Sequence, residues 1–239
     1  MISIIIPTLN EEKIIAKSIE ALKSRLTIPH EIIVSDGKSL DKTTEIANRF
    51  ADRVVIYSGA KRQTIAQGRN DGARVAKGDF LVFLDADCSI PNPDEFFTRA
   101  FTDFKKYNLT ALTSWLMVLP EEATFVDNFI GFLDNSYQLI LNNVLHIGAA
   151  RGEFQMMTRE AFDRVGGFNE SLVASEDFEM FYRLSRIGKT RLDRNLIMYH
   201  TGRRAHHTGW PKLLSLWFLN SVWMIFFKKA YVKEWKEVR

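Results

Sequence analysis

Residues 80–87 read FLVFLDAD, and this stretch decides how the chain is expected to fold. Five apolar residues in succession are typical of a strand that is buried on both faces of a parallel sheet. Asp85 and Asp87 follow where that strand would end. Because ligands of open α/β sheets bind beyond the carboxyl ends of the strands, the stretch predicts a buried strand with a polar site at its end.

Three further strand patterns precede this stretch and alternate with helical patterns. The strands are predicted at 2–6, 31–35 and 53–57, and the helices at 10–22, 41–50 and 64–76. Alternation at this spacing indicates an α/β fold with a mainly parallel, doubly wound sheet and flanking helices. The polar stretches 7–10 and 36–37 would then lie at the same edge of the sheet as Asp85 and Asp87.

The pattern changes after about residue 95, although no repeat or linker divides the chain. Helices are predicted at 96–107, 125–145, 159–165 and 176–186, and strands at 110–118 and 154–157. We expect one domain over residues 1–205, with halves at 1–95 and 96–205. A basic, apolar helical tail would follow at 206–239.

The composition is that of an ordinary globular protein of 239 residues with a net charge of +3, which is too small to indicate nucleic acid binding. Residues 189–239 carry eleven Lys or Arg against three acids, a charge of 11 − 3 = +8, which leaves 3 − 8 = −5 on residues 1–188. A basic tail on a mildly acidic body favours an anionic partner near the C-terminus, such as phosphate groups or a lipid surface.

Two features of the sequence bear on the cellular location. Cys88 is the single cysteine, which excludes an intramolecular disulfide and fits a reducing compartment. Met1 runs directly into a strand pattern without a charged leader, so we expect no secretion signal. The expected location is the cytoplasm, and the basic tail would allow a peripheral position on the inner face of the membrane.

Asp85 and Asp87 are candidates for holding a divalent cation. Two carboxylates after a buried strand can jointly bind Mg²⁺ or Mn²⁺, which favour carboxylate, water and phosphate oxygens. The alternative is that the acids cap the strand and solvate a turn, since a DxD triplet alone is a weak signal. Their position at the carboxyl edge of the sheet favours the metal site.

Four other polar residues have two interpretations each. Asp36 could accept a hydrogen bond from the N–H of a bound base, or belong to a plain Asp-Gly turn. Arg69 could pair with a phosphate or with a structural carboxylate. Glu176 and Asp177 open a helix whose dipole would keep a carboxylate ionised, which suits a helix cap or a general base.

Several motifs occur together and in a fixed order. They are SIIIPTLNE at 3–11, EIIVSDG at 31–37 with Ser39 and Asp41, GRN at 68–70, GDFL at 78–81, FLDAD at 83–87, GGF at 166–168, ED at 176–177, and RL at 183–184 with Gly188. This combination, over roughly residues 1–190, resembles the inverting family 2 glycosyltransferases with the GT-A fold. The resemblance implies transfer of a sugar from a nucleotide diphosphate to an acceptor, with a nucleotide-binding first half and an acceptor-binding second half.

The resemblance also implies which residues bind the donor. The nucleotide pocket would be lined by Pro7, Thr8, Asn10 and Glu11, the base would be read by Asp36, and the donor would be contacted by Arg69 and Ala86. Asp85 would face the ribose or a metal-bound water, and Asp87 would bind Mn²⁺ or Mg²⁺. Asp177 would be the general base, with Glu176 beside it near the acceptor.

Some positions depart from the family pattern. Ser35 precedes Asp36 where many relatives carry paired aspartates, which leaves base selectivity open. Ser89, two residues after Asp87, is a poor metal ligand, so a histidine could complete the site. His200 is the candidate, with His206 and His207 as alternatives, and a structural or surface role is the commoner fate of a histidine.

Arg203 and Arg204 lie where processive relatives carry a Gln-x-x-Arg-Trp element, and that element is absent here. Their charge favours contact with the donor diphosphate. The apolar stretch 213–227 lies between Lys212 and Lys228 and is too short for a confident membrane span. Its tryptophans and basic flanks suit peripheral membrane contact through 210–230, whereas packing on the body or on a second copy in a homo-oligomer is the alternative.

The predicted donor is a UDP or GDP sugar, and the predicted acceptor is a glycan or a lipid-linked molecule. Two other functions were weighed against this one. A nucleotidyltransferase normally opens with a Gly-rich basic loop, whereas residues 7–12 read PTLNEE. A sugar-nucleotide binding or scaffolding protein without turnover is disfavoured because Asp85, Asp87 and Asp177 are intact.

Overall fold

The computed structural model describes the backbone of residues 1–227 and the side chains of residues 1–217, 219, 220 and 223. Its sheet has eight strands. They are β1 (Ile2–Thr8), β2 (His30–Asp36), β3 (Arg53–Ile56), β4 (Phe80–Leu84), β5 (Cys88–Ser89), β6 (Leu109–Val118), β7 (Phe154–Thr158) and β8 (Lys189–His200).

The helices pack on both faces of the sheet. They are α1 (Ile15–Lys23), α2 (Thr43–Phe50), α3 (Ile65–Val75), α4 (Pro93–Tyr107), α5 (Phe125–Leu139), α6 (Arg159–Val165), α7 (Glu176–Ser185), α8 (Arg203–Thr208) and α9 (Trp210–Phe227). A π-helical segment, Ile140–Val144, continues α5. Within residues 1–227, no helix combines the length and apolar character needed to cross a membrane.

The strand order is β3-β2-β1-β4-β7-β6-β8-β5. β1 is parallel to both of its neighbours, β2 and β4, as the alternation of strands and helices predicted. β7 then joins β4 in the antiparallel direction, with Phe154 opposite Leu84. The sheet is therefore mixed, and the start of β7 lies beside the end of β4, where the two aspartates follow.

Both faces of the central strands are buried, which is why their sequences are continuously apolar. Ile4 and Val82 pack on one side with residues of α1 and α4. Ile5 and Phe83 pack on the other side with residues of α3, α6 and α7. This confirms the predicted α/β sheet with helices on both faces.

Two predicted boundaries near the site were wrong. β1 does not end before Pro7 but continues to Thr8. Pro7 has no backbone N–H to donate, and this is tolerated because the pairing of β1 with β4 already stops at Ile5. The first helix begins at Ile15 rather than Asn10. Asn10 has a left-handed backbone (φ 53) and its side chain accepts a hydrogen bond from the Leu40 amide, so it belongs to the loop.

β8 and β5 were not predicted, and neither was the start of α8 at residues 203–205. β8 is paired along β6 from Leu109 to Val118, but polar residues at 191, 193, 194 and 195 interrupt its apolar pattern. α8 begins at Arg203, before the predicted tail, and α9 lies within that tail. Residues 228–239 lie outside the described residues, and the division at residue 205 stays a prediction.

Candidate active site

A cavity of about 1110 Å³ lies beyond the carboxyl ends of β1 and β4. α7 begins on its floor, and α8 and α9 pass along one side. The predicted site residues that line it are Pro7, Thr8, Glu11, Arg69, Asp85, Ala86, Asp87, Glu176, Asp177, His200, Arg203 and Arg204. The fold thus gathers in one place residues from five separate stretches of the sequence.

The DAD segment directly follows β4 and is fixed on both sides. The amide of Asp85 donates to the Glu153 carbonyl (3.3 Å), which ties the end of β4 to the residue before β7. Ala86 is buried. Oδ2 of Asp87 accepts a hydrogen bond from Thr201 (2.7 Å) and lies 3.0 Å from Nε of Arg203. The carboxylate of Asp87 therefore has a hydroxyl partner and a cationic partner, both from a distant part of the chain.

Arg69 links the two groups of carboxylates from the centre of α3. Its side chain is 1% exposed, and its guanidinium donates to Glu176 (2.9 Å), to Asp85 (3.3 Å) and to the carbonyl of Gly152 (2.9 Å). The guanidinium also lies over the ring of Phe168, 5.2 Å from its centroid. The structural interpretation of Arg69 thus matches the geometry, and donor contact by Arg69 stays a prediction.

Gly152 allows this approach. A Cβ at that position would lie 2.6 Å from Nη2 of Arg69. The glycine therefore lets the backbone carbonyl reach the buried guanidinium.

Asp177 lies in the first turn of α7, after Ser175, whose backbone is left-handed (φ 63). Oδ1 of Asp177 accepts a hydrogen bond from the amide of Phe178 (2.8 Å). Burial, and then the adjacent Glu176, raise the pKa of Asp177 to about 8, although Arg69 opposes the shift. Loss of hydration thus acts against the helix dipole, which favours the ionised carboxylate.

The same competition acts on Asp85. Burial, together with the nearby acids Glu153, Asp87 and Glu176, raises the pKa of Asp85 to about 7, although Arg69 acts in the opposite direction. This part of the cavity therefore holds more acidic groups than Arg69 alone can keep ionised. Such a place favours additional cationic groups.

Arg203 reaches across the cavity from the start of α8. Its guanidinium contacts Oε1 of Glu11 (3.0 Å) as well as Asp87. Arg204 lies nearby, and burial lowers its pKa. α8 thus brings positive charge to the acidic end of the cavity.

Comparison with known proteins identifies the family to which the chain belongs. The sequence profile of Glycosyl transferase family 2 matches residues 3–166. The chain belongs to this family. The succinoglycan biosynthesis protein ExoA of Rhizobium meliloti (strain 1021) is 31% identical over 195 residues, which cover 77% of this chain and 58% of ExoA. The chain thus spans about three fifths of that family 2 relative.

Solved structures confirm the GT-A fold of this family 2 chain. The mannosyltransferase PcManGT from Pyrobaculum calidifontis, in complex with GDP-Man and Mn²⁺, aligns with a TM-score of 0.66 at 19% identity, over 84% of this chain and 56% of that one. S. aureus TarS in complex with UDP-GlcNAc aligns with a TM-score of 0.65 at 18% identity, over 84% and 58%. At these identities the likeness shows the fold alone.

Two predicted donor residues of this family 2 chain do not line the cavity. Asp36 is fully buried, and its carboxylate accepts hydrogen bonds from the Ser39 amide and the Thr44 hydroxyl. Asn10 lies in the loop beside Ser39, whose hydroxyl accepts from its amide (2.7 Å). Both residues form hydrogen bonds with the loop between β2 and α2, and their contact with a donor stays a prediction.

His200 lines the cavity, but its proposed role finds no support in a ligand cluster. Within residues 1–227, no group of three or more His, Cys, Asp or Glu side chains is arranged to hold a metal ion. His206 instead contacts Asp127 (2.9 Å) and is part of the anchoring of α8 on α5. The histidine ligand therefore stays an untested prediction.

Sequence reasoning missed Glu153, whose side chain lines the cavity near Asp85 and Asp177. No motif marks it. Its position directly before β7 could have indicated it, but only if the antiparallel pairing of β7 with β4 had been known.

Proposed function

We propose that this chain is an inverting glycosyltransferase that moves a sugar from a UDP or GDP sugar onto an acceptor hydroxyl or lipid phosphate. The observation that carries the proposal is the meeting of Asp85 and Asp87, at the end of β4, with Asp177, at the start of α7, in one cavity. The first pair is suited to the departing diphosphate, and the third carboxylate is suited to the attacking hydroxyl.

The residues present fit a divalent cation of the Mn²⁺ or Mg²⁺ class. Asp85 and Asp87 offer hard oxygen ligands beside the further acids Glu153 and Glu176. Such ions are commonly held by one or two carboxylates together with substrate phosphates and water, so a third protein ligand is not required. When bound, the ion would neutralise charge that develops on the diphosphate.

Donor binding would use residues on both sides of the DAD segment. Pro7, Thr8 and Ala86 lie along the wall where β1 and β4 end. Arg203 and Arg204 on α8 would donate to the diphosphate oxygens, which accept charge-assisted hydrogen bonds. For Arg203 this means exchanging its contacts with Glu11 and Asp87 for contacts with the donor.

Transfer to a hydroxyl would be a single displacement. The acceptor oxygen bonds to the anomeric carbon on the face opposite the diphosphate, the bond from that carbon to the diphosphate oxygen breaks, and the hydroxyl proton passes to the carboxylate of Asp177. Attack from the opposite face inverts the anomeric centre. Arg69 and Glu176 act as positioning residues, because they join α7 to the DAD segment through buried contacts.

A raised pKa suits Asp177 to this role. A general base is most effective when its pKa lies near the working pH, and the pKa of Asp177 is about 8. A carboxylate of ordinary pKa would be a weaker proton acceptor.

We also propose that the acceptor is a glycan or a lipid-linked molecule bound on the side of the cavity formed by residues 96–205. Peripheral contact of 210–230 with the inner face of the membrane, from the cytoplasm, would bring a lipid-linked acceptor to that side. The basic charge of the tail supports this arrangement.

The first test is the melting temperature of the protein with UDP, GDP and their sugars, in Mn²⁺ and in EDTA. Binding to the folded state raises the melting temperature, so one nucleotide should do so only with metal. Asp87→Ala should abolish that rise. A folded, metal-loaded protein that responds to no nucleotide would contradict the proposal.

A binding protein without turnover would also pass this test. Release of the nucleoside diphosphate during incubation with the responding sugar nucleotide separates the two functions. Turnover should be lost in Asp177→Asn while the rise in melting temperature persists. Equal product release by wild type and Asp177→Asn would remove Asp177 from the mechanism.

A further inference from the structure

The cavity has a second compartment whose chemistry differs from that of the carboxylate end. Its walls come from β6, α5 and α9, and they include Trp115, Leu116, Phe132, Trp210, Leu213 and Trp217. The rings of Trp115 and Phe132 lie 6.1 Å apart, as do those of Trp210 and Trp217. We call these six residues the apolar compartment. It is part of the cavity that contains Asp177, so one ligand could occupy both.

The outer side of α5 and of the π-helical segment is apolar and solvent-exposed. We call this surface the α5 stripe, and its members are Phe125, Val126, Phe129, Phe132, Leu133, Tyr137, Ile140 and Val144. Exposure reaches 84% for Phe125 and 59% for Phe132. The residues recur at three- and four-residue spacing, so they form one stripe about 30 Å long at 1.5 Å per residue.

The α5 stripe carries no charged side chain. Between residues 125 and 145 the acids are Asp127 and Asp134. Asp127 is 2% exposed and accepts hydrogen bonds from the Trp210 ring (2.7 Å) and from the Thr124 hydroxyl, and Asp134 pairs with Arg151 (2.8 Å). Both acids are thus bound to other parts of the protein. An exposed apolar surface of this size marks an interaction site.

The stripe and the compartment are continuous, and this decides between possible occupants. Phe132 and Tyr137 are both exposed on the stripe and part of the cavity lining. Residues that are both exposed and part of the lining lie at the rim of the cavity, and a second copy of the chain packed on the stripe would cover this opening. A bilayer would cover the stripe and also supply a molecule that can enter the opening.

We infer that the α5 stripe lies on a lipid bilayer, and that the apolar compartment takes the hydrocarbon chain of an acceptor resident in that bilayer. The inference rests on the proposed function and names its acceptor class. The charge of the chain end agrees with it, since residues 228–239 carry five Lys or Arg against two acids, 5 − 2 = +3. Basic segments are attracted to anionic lipid.

Flotation of the full chain with vesicles tests the bilayer contact. The vesicles are phosphatidylcholine alone and phosphatidylcholine with phosphatidylglycerol, each at low and high salt. Wild type should float with both, because apolar contact survives the screening that weakens the basic end. Phe129→Glu should reduce the bound fraction roughly tenfold or more.

Ile56→Glu is the matched control, since Ile56 on β3 is 53% exposed, Phe129 is 54% exposed, and neither lines the cavity. The control should float like wild type. Equal flotation of both variants, or no flotation of wild type, would overturn the inference. So would a wild-type dimer without vesicles that Phe129→Glu converts to a monomer.

Quenching of tryptophan fluorescence tests the compartment. Dodecyl β-glucoside, below its micellar concentration, should bind at least tenfold more tightly than methyl β-glucoside, because its chain adds apolar area to bury. Equal affinities would overturn the second half of the inference.

The donor measurements keep the two proposals apart. Phe129→Glu should show the wild-type rise in melting temperature with nucleotide and Mn²⁺. If nucleotides stabilise the protein but nothing floats, the bilayer inference fails and the glycosyltransferase proposal stands. If the flotation pattern holds but no nucleotide binds, the proposed function fails.

Discussion

The two halves of the chain differ in how many large apolar side chains they expose to solvent. In residues 1–95 the central strands β1, β2 and β4 are buried, and charged groups near their carboxyl ends are paired across the cavity, as Arg69 is with Asp85 and Glu176. Most of the large apolar side chains that are exposed among the described residues lie after residue 95, chiefly on α5. The charged groups of the first half are thus paired, in part with residues of the second half such as Glu176, whereas the second half also presents surface for a partner. Experiments on each half can break or sharpen this contrast.

The largest expected effect is on turnover. Asp177→Asn should lower kcat about 10²- to 10⁴-fold, the usual contribution of a general base. The same change should not lower the melting temperature, because the amide resembles the protonated form that burial favours. Product release and thermal unfolding measure the two quantities. A variant that unfolds and loses activity together would give Asp177 a structural role instead.

Arg69→Met should lower the free energy of unfolding by about 3–5 kcal/mol, the range for breaking a buried ion pair. The change leaves Asp85 and Glu176 without their partner. The loss of unfolding free energy should become smaller as the pH falls, because Asp85 and Glu176 can then take up protons.

Arg49→Met is the matched control, since Arg49 pairs with Glu45 on the exposed side of α2. Its cost should be about 0.5 kcal/mol or less. Urea unfolding of both variants measures the difference. Equal costs would show that the first half does not depend on its buried pairing.

The pH dependence of stability should reflect Asp177, which faces Glu176, Arg69 and Glu153. Its pKa is about 8 in the folded protein and about 3.9 in the unfolded chain, so the folded state binds the extra proton between these values. Stability from this group is therefore present below pH 4 and lost as pH rises to 8, by at most about 1.4 kcal/mol per unit.

Urea unfolding of wild type and Asp177→Asn between pH 5 and pH 8 measures the contribution of Asp177 to the pH dependence of stability. The variant should show the shallower fall, since it cannot titrate. In active protein, kcat/KM should rise toward pH 8 because the base must be ionised. An acid limb near pH 4 would contradict the raised pKa.

The predictable parts of the molecule are those where local sequence decides the structure. β4 follows from five apolar residues, and α3 follows from Thr64 and Gln67, which form a reciprocal cap at its start. The location of Asp85, Asp87 and Asp177 at one cavity follows from the edge rule for parallel sheets together with the family resemblance.

Other features depend on contacts between distant residues. Glu153 lies in the site because β7 pairs antiparallel with β4, and Arg203 reaches Asp87 because α8 is held on α5 through His206 and Asp127. The raised pKa of Asp177 likewise comes from burial, which a helix-start pattern does not reveal. Pairing partners and burial were the missing information in each case.

The smallest expected effect compares the two reciprocal helix caps, one in each half. Thr64→Ala should cost about 1 kcal/mol, because the Thr64 hydroxyl accepts only the Gln67 amide at the start of α3. Thr124→Ala should cost more, because the Thr124 hydroxyl also donates to Asp127, the residue that holds Trp210 of α9.

Urea unfolding gives both costs, and the fluorescence of the tryptophans on α9 reports whether that helix has moved. A spectral change in Thr124→Ala but not in Thr64→Ala would show that the cap of α5 also positions the wall of the apolar compartment. Equal costs with unchanged spectra would mean that α9 is held by its packing at Leu213 and Asn220, both 2% exposed, rather than through Asp127. In that case the second half would be less dependent on its polar contacts than the first.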